Sequence, residues 1–234
     1  GFTGDTVYQY SLSTAWDLNS GSYDNKSFSV NSQEPKGRGV FFKPDGTKMY
    51  INGDSTNDVY QYSLSTAWDV STASYDNVSH NSSAQASFAV GLTFKSDGTE
   101  MYVTDGGTDT VYQYSLSTAW DLNSASYNSV SFDTSSQTTQ PFSVAFNSSG
   151  TKMFLADTEF KGIFQYSLST AWDLGSVSYD NVFFDTSTQV SQAGGVFFKT
   201  DGTKMYVTDA TSDDIEQYST GLVSDQSTLI EAIA

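Results

Sequence analysis

Apolar and polar positions recur along this chain with a fixed period of 52 residues. The pattern Val-Tyr-Gln-Tyr-Ser-Leu starts at residues 7, 59 and 111, returns with light edits at residue 163, and begins again in shortened form at residue 215. Large side chains alternate with smaller polar ones inside each copy, which is the period of a β-strand that buries one face. A fixed period of this length is typical of repeat architectures.

The repeat that begins near Arg38 predicts four short strands. Arg38–Phe42 is an apolar run and predicts strand A, and Lys48–Asn52 predicts strand B. The Pro-Asp-Gly sequence at residues 44–46 predicts a tight turn between them, because Pro fixes φ and Gly accepts a positive φ. Val59–Leu64 predicts strand C, and the more polar Ser74–His80 predicts strand D at an outer edge.

Four short antiparallel strands per repeat predict the blade of an all-β propeller. The strand order is C-D, then A-B-C-D three times, then A-B-C. We therefore predict four blades of 52 residues with circularly permuted closure, in which the N-terminal strands complete the blade begun by the last A and B. Alternatively, Ile215–Ser219 takes the place of the N-terminal strand C and leaves Val7–Leu12 spare, one copy pairs with another molecule, or the chain is a piece of a larger propeller. Residues 1–220 form the predicted propeller domain and residues 221–234 a C-terminal tail.

Composition narrows the choice of partners. The chain has 27 acidic and 10 basic residues and a formal net charge of −17. Phosphate backbones and anionic membranes would be repelled, so we predict no nucleic-acid partner. No apolar run reaches the ~18–20 residues of a membrane span, which predicts no membrane insertion. The absence of cysteine excludes disulfides and thiolate chemistry.

Strands A and B resemble a known repeat family. Phe42–Asn52 reads Phe-Lys-Pro-Asp-Gly-Thr-Lys-Met-Tyr-Ile-Asn, and Asp201–Asp209 carries Asp-Gly-Thr-Lys-Met-Tyr-Val-Thr-Asp. These segments resemble the YVTN-type β-propeller repeat, whereas the Tyr-Gln-Tyr strand and the following Ser-Thr-Ala-Trp-Asp turn depart from it. The resemblance implies a propeller and placement outside the cell or on a cell or virion surface. Some relatives are lactonases, so it implies little about activity.

Two sets of recurring side chains are candidate ligand-binding residues. One tryptophan follows each strand C within a predicted helical turn that Ser65 or Thr66 would cap. Four such rings suit sugar stacking, or each ring anchors its connection while the next aspartate caps local backbone. One glutamine precedes each strand A, where a ring of amides at a propeller mouth would bind a ligand or satisfy backbone groups. The two sets are Trp16, Trp68, Trp120 and Trp172, and Gln33, Gln85, Gln137 and Gln189.

Charged residues suggest two further sites. Asp105, Asp109, Asp209 and Asp213 stand in short acidic loops and are candidate calcium ligands, with solvated hairpin tips as the alternative. Arg38 is the only arginine and starts an inner strand, where it would hold an anion or pair with Glu34. His80 takes a position that is phenylalanine in the other repeats and is predicted to be core-like.

Function is read from the near-identity of the repeats. No common hydrolase or nucleotide-binding motif is present. A catalytic centre also needs one asymmetric constellation. We therefore predict a non-enzymatic extracellular or surface propeller that binds a glycan or a cell-surface protein. The alternatives are a module of a larger assembly, such as a phage appendage, that associates through the surplus strand, and a metal-dependent lactonase-like hydrolase. No cofactor is predicted apart from the candidate calcium, and the chain is a monomer or self-assembles.

Overall fold

The computed structural model describes residues 5–212 and 214–220, which fold into short antiparallel sheets. The strands are β1 (Thr6–Leu12), β2 (Gly21–Ser29), β3 (Gly37–Phe42), β4 (Lys48–Gly53), β5 (Asp58–Leu64), β6 (Ala73–Asn81), β7 (Ala89–Phe94), β8 (Glu100–Asp105), β9 (Thr110–Leu116), β10 (Ala125–Asp133), β11 (Pro141–Phe146), β12 (Lys152–Asp157), β13 (Gly162–Leu168), β14 (Val177–Asp185), β15 (Ala193–Phe198), β16 (Lys204–Asp209) and β17 (Ile215–Ser219).

These strands form a four-bladed, all-β propeller, as the repeat predicts. Blade I is β3–β6, blade II is β7–β10, blade III is β11–β14 and blade IV is the three-stranded sheet β15–β17. Strands that follow one another in the chain are antiparallel neighbours in every blade. Strands β1 and β2 pair only with each other among the described residues, and we call them the N-terminal hairpin.

Two kinds of turn connect the strands of each blade: the A–B turn and the helical turn after strand C. Gly46 has a φ of 71° in the A–B turn of blade I, and its repeat equivalents also have positive φ. After strand C, the helical turn is a 3₁₀ helix at Val70–Thr72, and it follows residues 65–69, where the sequence placed it. Its N-cap is Asp69, whose side chain accepts a hydrogen bond from the Ser71 N–H, so the capping prediction for Ser65 or Thr66 is wrong.

Blades I and II are joined by two hydrogen bonds, and the equivalent bonds join blades II and III. The buried Tyr50 hydroxyl of blade I donates to the Trp120 carbonyl of blade II at 2.7 Å. The Leu122 N–H of blade II donates to Gln61 Oε1 of blade I at 3.1 Å. The glutamines of strand C are therefore structural. Large tyrosine, methionine and leucine side chains fill the wedges between the sheets.

The N-terminal hairpin closes the ring by lying between blades IV and I. Tyr206 of blade IV donates to the Trp16 carbonyl at 2.7 Å, and the Leu18 N–H donates to Gln217 Oε1 at 3.1 Å. On its other side, Lys26 of the hairpin pairs with Asp69 of blade I at 2.7 Å. The ends of the described chain thus meet by side-to-side contacts.

The strand that pairs with β16 is β17, so the structure adopts the arrangement that leaves Val7–Leu12 outside blade IV. Only a short loop separates β16 from β17, and local closure costs less entropy than pairing with β1 from the far end of the chain. Residues 221–234, the predicted tail, lie outside the described residues. The described chain contains no helix of the length and apolarity needed to cross a membrane.

The inner strands β3, β7, β11 and β15 start at one end of the propeller, which we call the mouth. The loops that join strands B and C lie at the same end. Neighbouring inner strands lie close together, and a Cβ added at Gly39 would stand 3.1 Å from the Leu92 nitrogen of the next blade. The crowding explains why this register takes glycine or serine. The mouth is where the repeats differ most in charge.

Candidate active site

One group of charged residues breaks the repeat pattern at the mouth of blade I. Lys36, Arg38 and Asp54 have no charged equivalents in the other blades. Their equivalents are Phe88, Gln140 and Gln192; Val90, Phe142 and Gly194; and Gly106, Thr158 and Ala210. Glu34 and Gly53 also differ from the other repeats. The asymmetric constellation that catalysis requires, and that near-identical repeats argue against, is therefore present in one blade.

Glu34 organises the loops around this group. Its side chain is completely buried. Oε1 accepts hydrogen bonds from the Lys36 N–H at 2.9 Å and the Ser55 N–H at 3.1 Å. Oε2 accepts from the Thr56 N–H at 3.2 Å and the Thr56 hydroxyl at 2.6 Å. One carboxylate therefore ties the start of strand A to the loop between strands B and C.

In the other blades an aspartate at the end of strand B does this work, at the repeat position of Gly53. Asp105 accepts from the Phe88 N–H at 2.7 Å, and Asp157 accepts from the Gln140 N–H at 3.1 Å. Burial raises the pKa of Asp157, although three backbone hydrogen bonds oppose it. A side chain at position 53 would collide with Glu34, because an added Cβ would lie 2.5 Å from the Glu34 Cγ. In blade I, Glu34 thus replaces the aspartate of the other blades, and Gly53 leaves the space that Glu34 needs.

Arg38 and Asp54 form a close ion pair beneath the mouth. Arg38 Nε and Nη2 donate to Asp54 Oδ2 at 2.9 and 2.5 Å. Only 12% of the Arg38 side chain and 3% of the Asp54 side chain are exposed. The guanidinium carbon lies 6.0 Å from the centre of the Phe88 ring in blade II. The prediction that Arg38 pairs with Glu34 is wrong, because the Glu34 oxygens accept hydrogen bonds from Lys36, Ser55 and Thr56.

The second oxygen of Asp54 is placed differently from the first. Oδ1 is buried and makes no hydrogen bond with any described residue. The Lys36 Nζ lies 3.9 Å from Oδ1, and the Lys36 side chain is 59% exposed. A carboxylate with one oxygen in an ion pair and a second oxygen without a hydrogen bond has the chemistry of a general base, and the two cations beside it can hold an anionic group.

The candidate calcium ligands do not converge on an ion. Asp105 binds amides of its own loops, as described above. Asp209 does the same through Ser191 and Thr211, at 2.6 and 2.8 Å from the two N–H groups. Burial opposes the ionised form of Asp209, but these hydrogen bonds lower its pKa to about 2. Asp213 lies outside the described residues.

Asp109, the remaining candidate, occupies the left-handed region with a φ of 52°. Burial raises its pKa, and the charges of Asp133 and Asp105 act in the same direction. Among the described residues, no three His, Asp or Glu side chains stand close enough to hold a metal ion. Asp105 and Asp209 thus cap loops in this structure, and calcium binding at these aspartates stays a prediction.

The tryptophans serve the framework and are not equivalent platforms. Trp120 is 9% exposed, whereas Trp68 is 53% exposed. The Trp68 N–H donates to the Gly46 carbonyl at 2.9 Å, and its ring covers that turn glycine. The carbonyl oxygens of Trp16, Trp120 and Trp172 each accept a tyrosine hydroxyl from the preceding blade. The structure thus favours the anchoring role that the sequence left as an alternative.

Two of the glutamines before strand A contact tyrosines of strand C. Gln33 and Gln85 lie against strand C of the blade that follows, where the hydroxyls of Tyr62 and Tyr114 donate to them at 3.4 Å. Gln137 is half-buried and Gln189 is exposed. His80 packs edge-on against Tyr114 with ring centres 5.0 Å apart, and burial lowers its pKa. Its core-like role is confirmed.

Solved structures share this fold at low sequence identity. A candidate 6-phosphogluconolactonase from Bacteroides uniformis aligns over 95% of this chain and 63% of its own, with a TM-score of 0.58 and 13% identity. A second candidate 6-phosphogluconolactonase, from Bacteroides fragilis, aligns over 79% of this chain and 50% of its own, with a TM-score of 0.55 and 14% identity. The periplasmic gluconolactonase PpgL of Pseudomonas aeruginosa aligns over 82% of this chain and 51% of its own, with a TM-score of 0.54 and 13% identity. The chain therefore spans about half to two thirds of the length of these neighbours.

These neighbours correct the functional prediction. A non-enzymatic binding or adhesion module was expected, but the three similar structures named above are two candidate 6-phosphogluconolactonases and a gluconolactonase. At this level of identity the likeness establishes the fold only. No family model and no curated protein sequence matches the chain. The resemblance to the YVTN repeat consequently stays a prediction.

Proposed function

We propose that this protein is a hydrolase of sugar lactones and that Lys36, Arg38 and Asp54 form its reaction centre. The observation that carries the proposal is the single charged group at the mouth, which stands at one blade of an otherwise repetitive ring. The fold that presents it is shared with lactonases. Among the alternatives that the sequence leaves open, the hydrolase is the one that uses this group.

Lactone hydrolysis needs a base for water and a positive group for the oxygen that becomes negative. Asp54 Oδ1 takes a proton from water as the water oxygen attacks the carbonyl carbon. The guanidinium of Arg38 faces the same carboxylate and stabilises the negative oxygen of the tetrahedral intermediate. The ring C–O bond then breaks, and its oxygen takes the proton from Asp54. The products are a hydroxyl and a carboxylic acid on one open chain, and the acid then ionises to a carboxylate and releases its proton to the solvent.

Substrate binding depends on the two cations of this group. A chain with a net charge of −17 repels anions on average. Lys36 and Arg38 oppose this at the mouth of blade I, and the exposed Lys36 ammonium is free to follow a ligand. The substrate class that fits is a sugar lactone bearing a carboxylate or phosphate. The described residues supply no cluster of metal ligands, so the proposed chemistry rests on these three side chains.

The place of action forms part of the same proposal. A periplasmic gluconolactonase shares the fold, which supports action outside the cytoplasm. Fractionation of the native source, with the protein detected by antibody, would test this directly. Recovery with cytoplasmic markers alone would refute it.

Acid release from glucono-δ-lactone and 6-phosphogluconolactone tests the activity, measured by pH-stat with spontaneous hydrolysis subtracted. We expect Asp54→Asn to lower kcat/KM by about 100-fold or more, as for loss of a general base. Arg38→Lys keeps the charge but loses the fork of donors, and we expect a drop mainly in kcat. Lys36→Met should raise KM for the phosphorylated lactone alone.

Lys95→Met is the matched control for charge removal, because Lys95 pairs with Asp97 in the A–B turn, at the opposite end of blade II. Far-ultraviolet circular dichroism of each variant checks the fold. A wild-type protein that hydrolyses neither lactone above the spontaneous rate refutes the proposed function. Unchanged kcat/KM in folded Asp54→Asn refutes the assignment of the site.

A further inference from the structure

The wedge between blades IV and I holds only the outer half of a blade. The N-terminal hairpin supplies the equivalents of strands C and D, and no described strand occupies the positions of A and B. In blade I, strand β5 pairs with β4 on its inner edge and with β6 on its outer edge. From Val7 to Leu12, strand β1 pairs with β2 alone, so this part of its inner edge is open among the described residues. We call this space the inner notch.

The walls of the inner notch expose side chains that other wedges bury. On the blade I wall, Val40 is 49% exposed, whereas its equivalents Leu92, Val144 and Val196 are 2–7% exposed. On the blade IV wall, Ile215 is 53% exposed, whereas Val59, Val111 and Ile163 are fully buried at the same position. Phe197 on that wall is 56% exposed and stacks on Trp16. Both walls therefore present apolar surface to the same space.

Polar groups around the inner notch also lack the partners that they have elsewhere. The Trp16, Trp120 and Trp172 carbonyls accept tyrosine hydroxyls from strand B of the preceding blade. No described residue donates to the Trp68 carbonyl, whose donor would belong to a strand B in the notch. The Trp68, Trp120 and Trp172 N–H groups donate to the carbonyls of turn glycines. The Trp16 N–H makes no such bond within the described chain, since its A–B turn would also belong to the notch.

We propose that the inner notch is a binding site for one β-hairpin with the A–B pattern of this repeat: an apolar strand, an Asp-Gly turn and a strand carrying Met-Tyr. Strand B of this ligand would add to the inner edge of β1 along Val7–Leu12 by backbone hydrogen bonding. Its tyrosine would donate to the Trp68 carbonyl, and its turn glycine would lie under the Trp16 ring. Three intact blades show this hairpin in matching surroundings, so the occupant continues an established interface.

An in-register fusion tests the proposal on the full chain. Gly1 holds the repeat position of Gly53 and Asp105, so a copy of residues 86–104 joined directly before Gly1 places an A–B hairpin next to β1. We expect amide hydrogen exchange at Thr6–Leu12 to slow by about 10-fold or more relative to the unmodified chain, as local opening becomes rarer. The melting temperature should rise as well.

Two control fusions separate specific docking from mere lengthening. One carries the same 19 residues in scrambled order and should leave exchange in β1 unchanged. The other replaces only the tyrosine copied from Tyr102 with phenylalanine, and should keep part of the protection while losing the bond to the Trp68 carbonyl. Equal protection by the scrambled and the native insert would overturn the proposal.

The unmodified chain provides the remaining test, by light scattering combined with hydrogen exchange. A monomer with fast exchange at Val7–Leu12 and slow exchange at Val59–Leu64 is expected. A dimer with protected β1 would make a second copy the occupant and would overturn the proposal. A monomer in which β1 is as protected as β5 would also overturn it, because the edge would already be covered by the chain itself.

Discussion

At the mouth, blade I and blades II to IV join the same two loops through different residues. Each must hold the start of strand A against the loop between strands B and C. Blades II to IV use an aspartate at the end of strand B, as Asp105 shows, and blade I uses Glu34 from the opposite side of the same contact. The relocation leaves residue 53 as glycine. The next residue, Asp54, is then a carboxylate that pairs with Arg38 and has no part in holding the loops.

The difference teaches where a repeat protein can acquire asymmetric chemistry. A residue that holds loops together cannot also be a base, because its oxygens are already occupied. Blade I meets the structural need with Glu34 and so makes a second buried carboxylate available. Three variants test this comparison without measuring activity.

The largest effect is expected for Glu34→Ala. The substitution leaves the N–H groups of Lys36, Ser55 and Thr56 without their acceptor, and we expect a loss of about 3 kcal/mol in the free energy of unfolding, because several buried donors lose a partner together. Urea titration at pH 7 measures it. Alanine is native at the equivalent residue 86, so the side chain itself suits this backbone. A loss below 1 kcal/mol would contradict the organising role of Glu34.

An intermediate effect is expected for Gly53→Ala. The added Cβ would lie 2.1 Å from the Lys36 carbonyl oxygen, so backbone must move, and we expect a cost of about 2 kcal/mol as for overpacking. Gly106→Ala is the matched control, since its Cβ would first meet the Phe88 ring at 3.0 Å, and a side chain yields more easily than backbone. Equal melting temperatures for the two variants would show that Gly53 is not required by Glu34.

The smallest effect is expected for His80→Phe, which restores the residue of the other repeats. Burial lowers the pKa of His80 below 6.5, with Asp58 opposing the shift. The unfolded chain therefore binds the proton more readily, and the free energy of unfolding decreases as the pH falls through 6.5. The decrease ends once the folded-state pKa is passed. The phenylalanine variant should lose this slope and differ by less than about 1.5 kcal/mol at pH 7.5.

Parallel urea titrations from pH 7.5 to pH 5.5 compare the two proteins. Both retain the carboxylates, so any slope that they share below pH 5.5 has another origin. Identical pH dependence in the two proteins would show that His80 is solvated in the native state.

Much of the fold follows from the sequence because the same pattern is written several times. The strands begin and end within about one residue of the predicted positions, as Lys48–Gly53 against the predicted Lys48–Asn52 shows. The period could not decide between β1 and β17 as the partner of β16, because both carry the strand C pattern. That choice depended on the short loop between β16 and β17.

The sequence predicts only part of the candidate site. Arg38 stands out because it is the only arginine in the sequence, but the partners predicted for it were an anion or Glu34, and Asp54 was not among them. The signal that identifies Asp54 was present in the alignment of the repeats: Gly53, Asp54 and Glu34 all depart from the pattern at one blade. Departures from a repeat are informative jointly, since each makes physical sense only with the others.

The hydrogen bonds that join neighbouring sheets also set an order of folding. Between blades I and II they connect residues 70 and 61 positions apart in the chain. At the closing boundary the same two bonds connect residues 190 and 199 positions apart. Contacts between distant residues form slowly, because a long loop must close before any stabilisation is gained. The boundary between blade IV and the N-terminal hairpin should therefore be the last to form in refolding, and the slowest kinetic phase should report on Trp16.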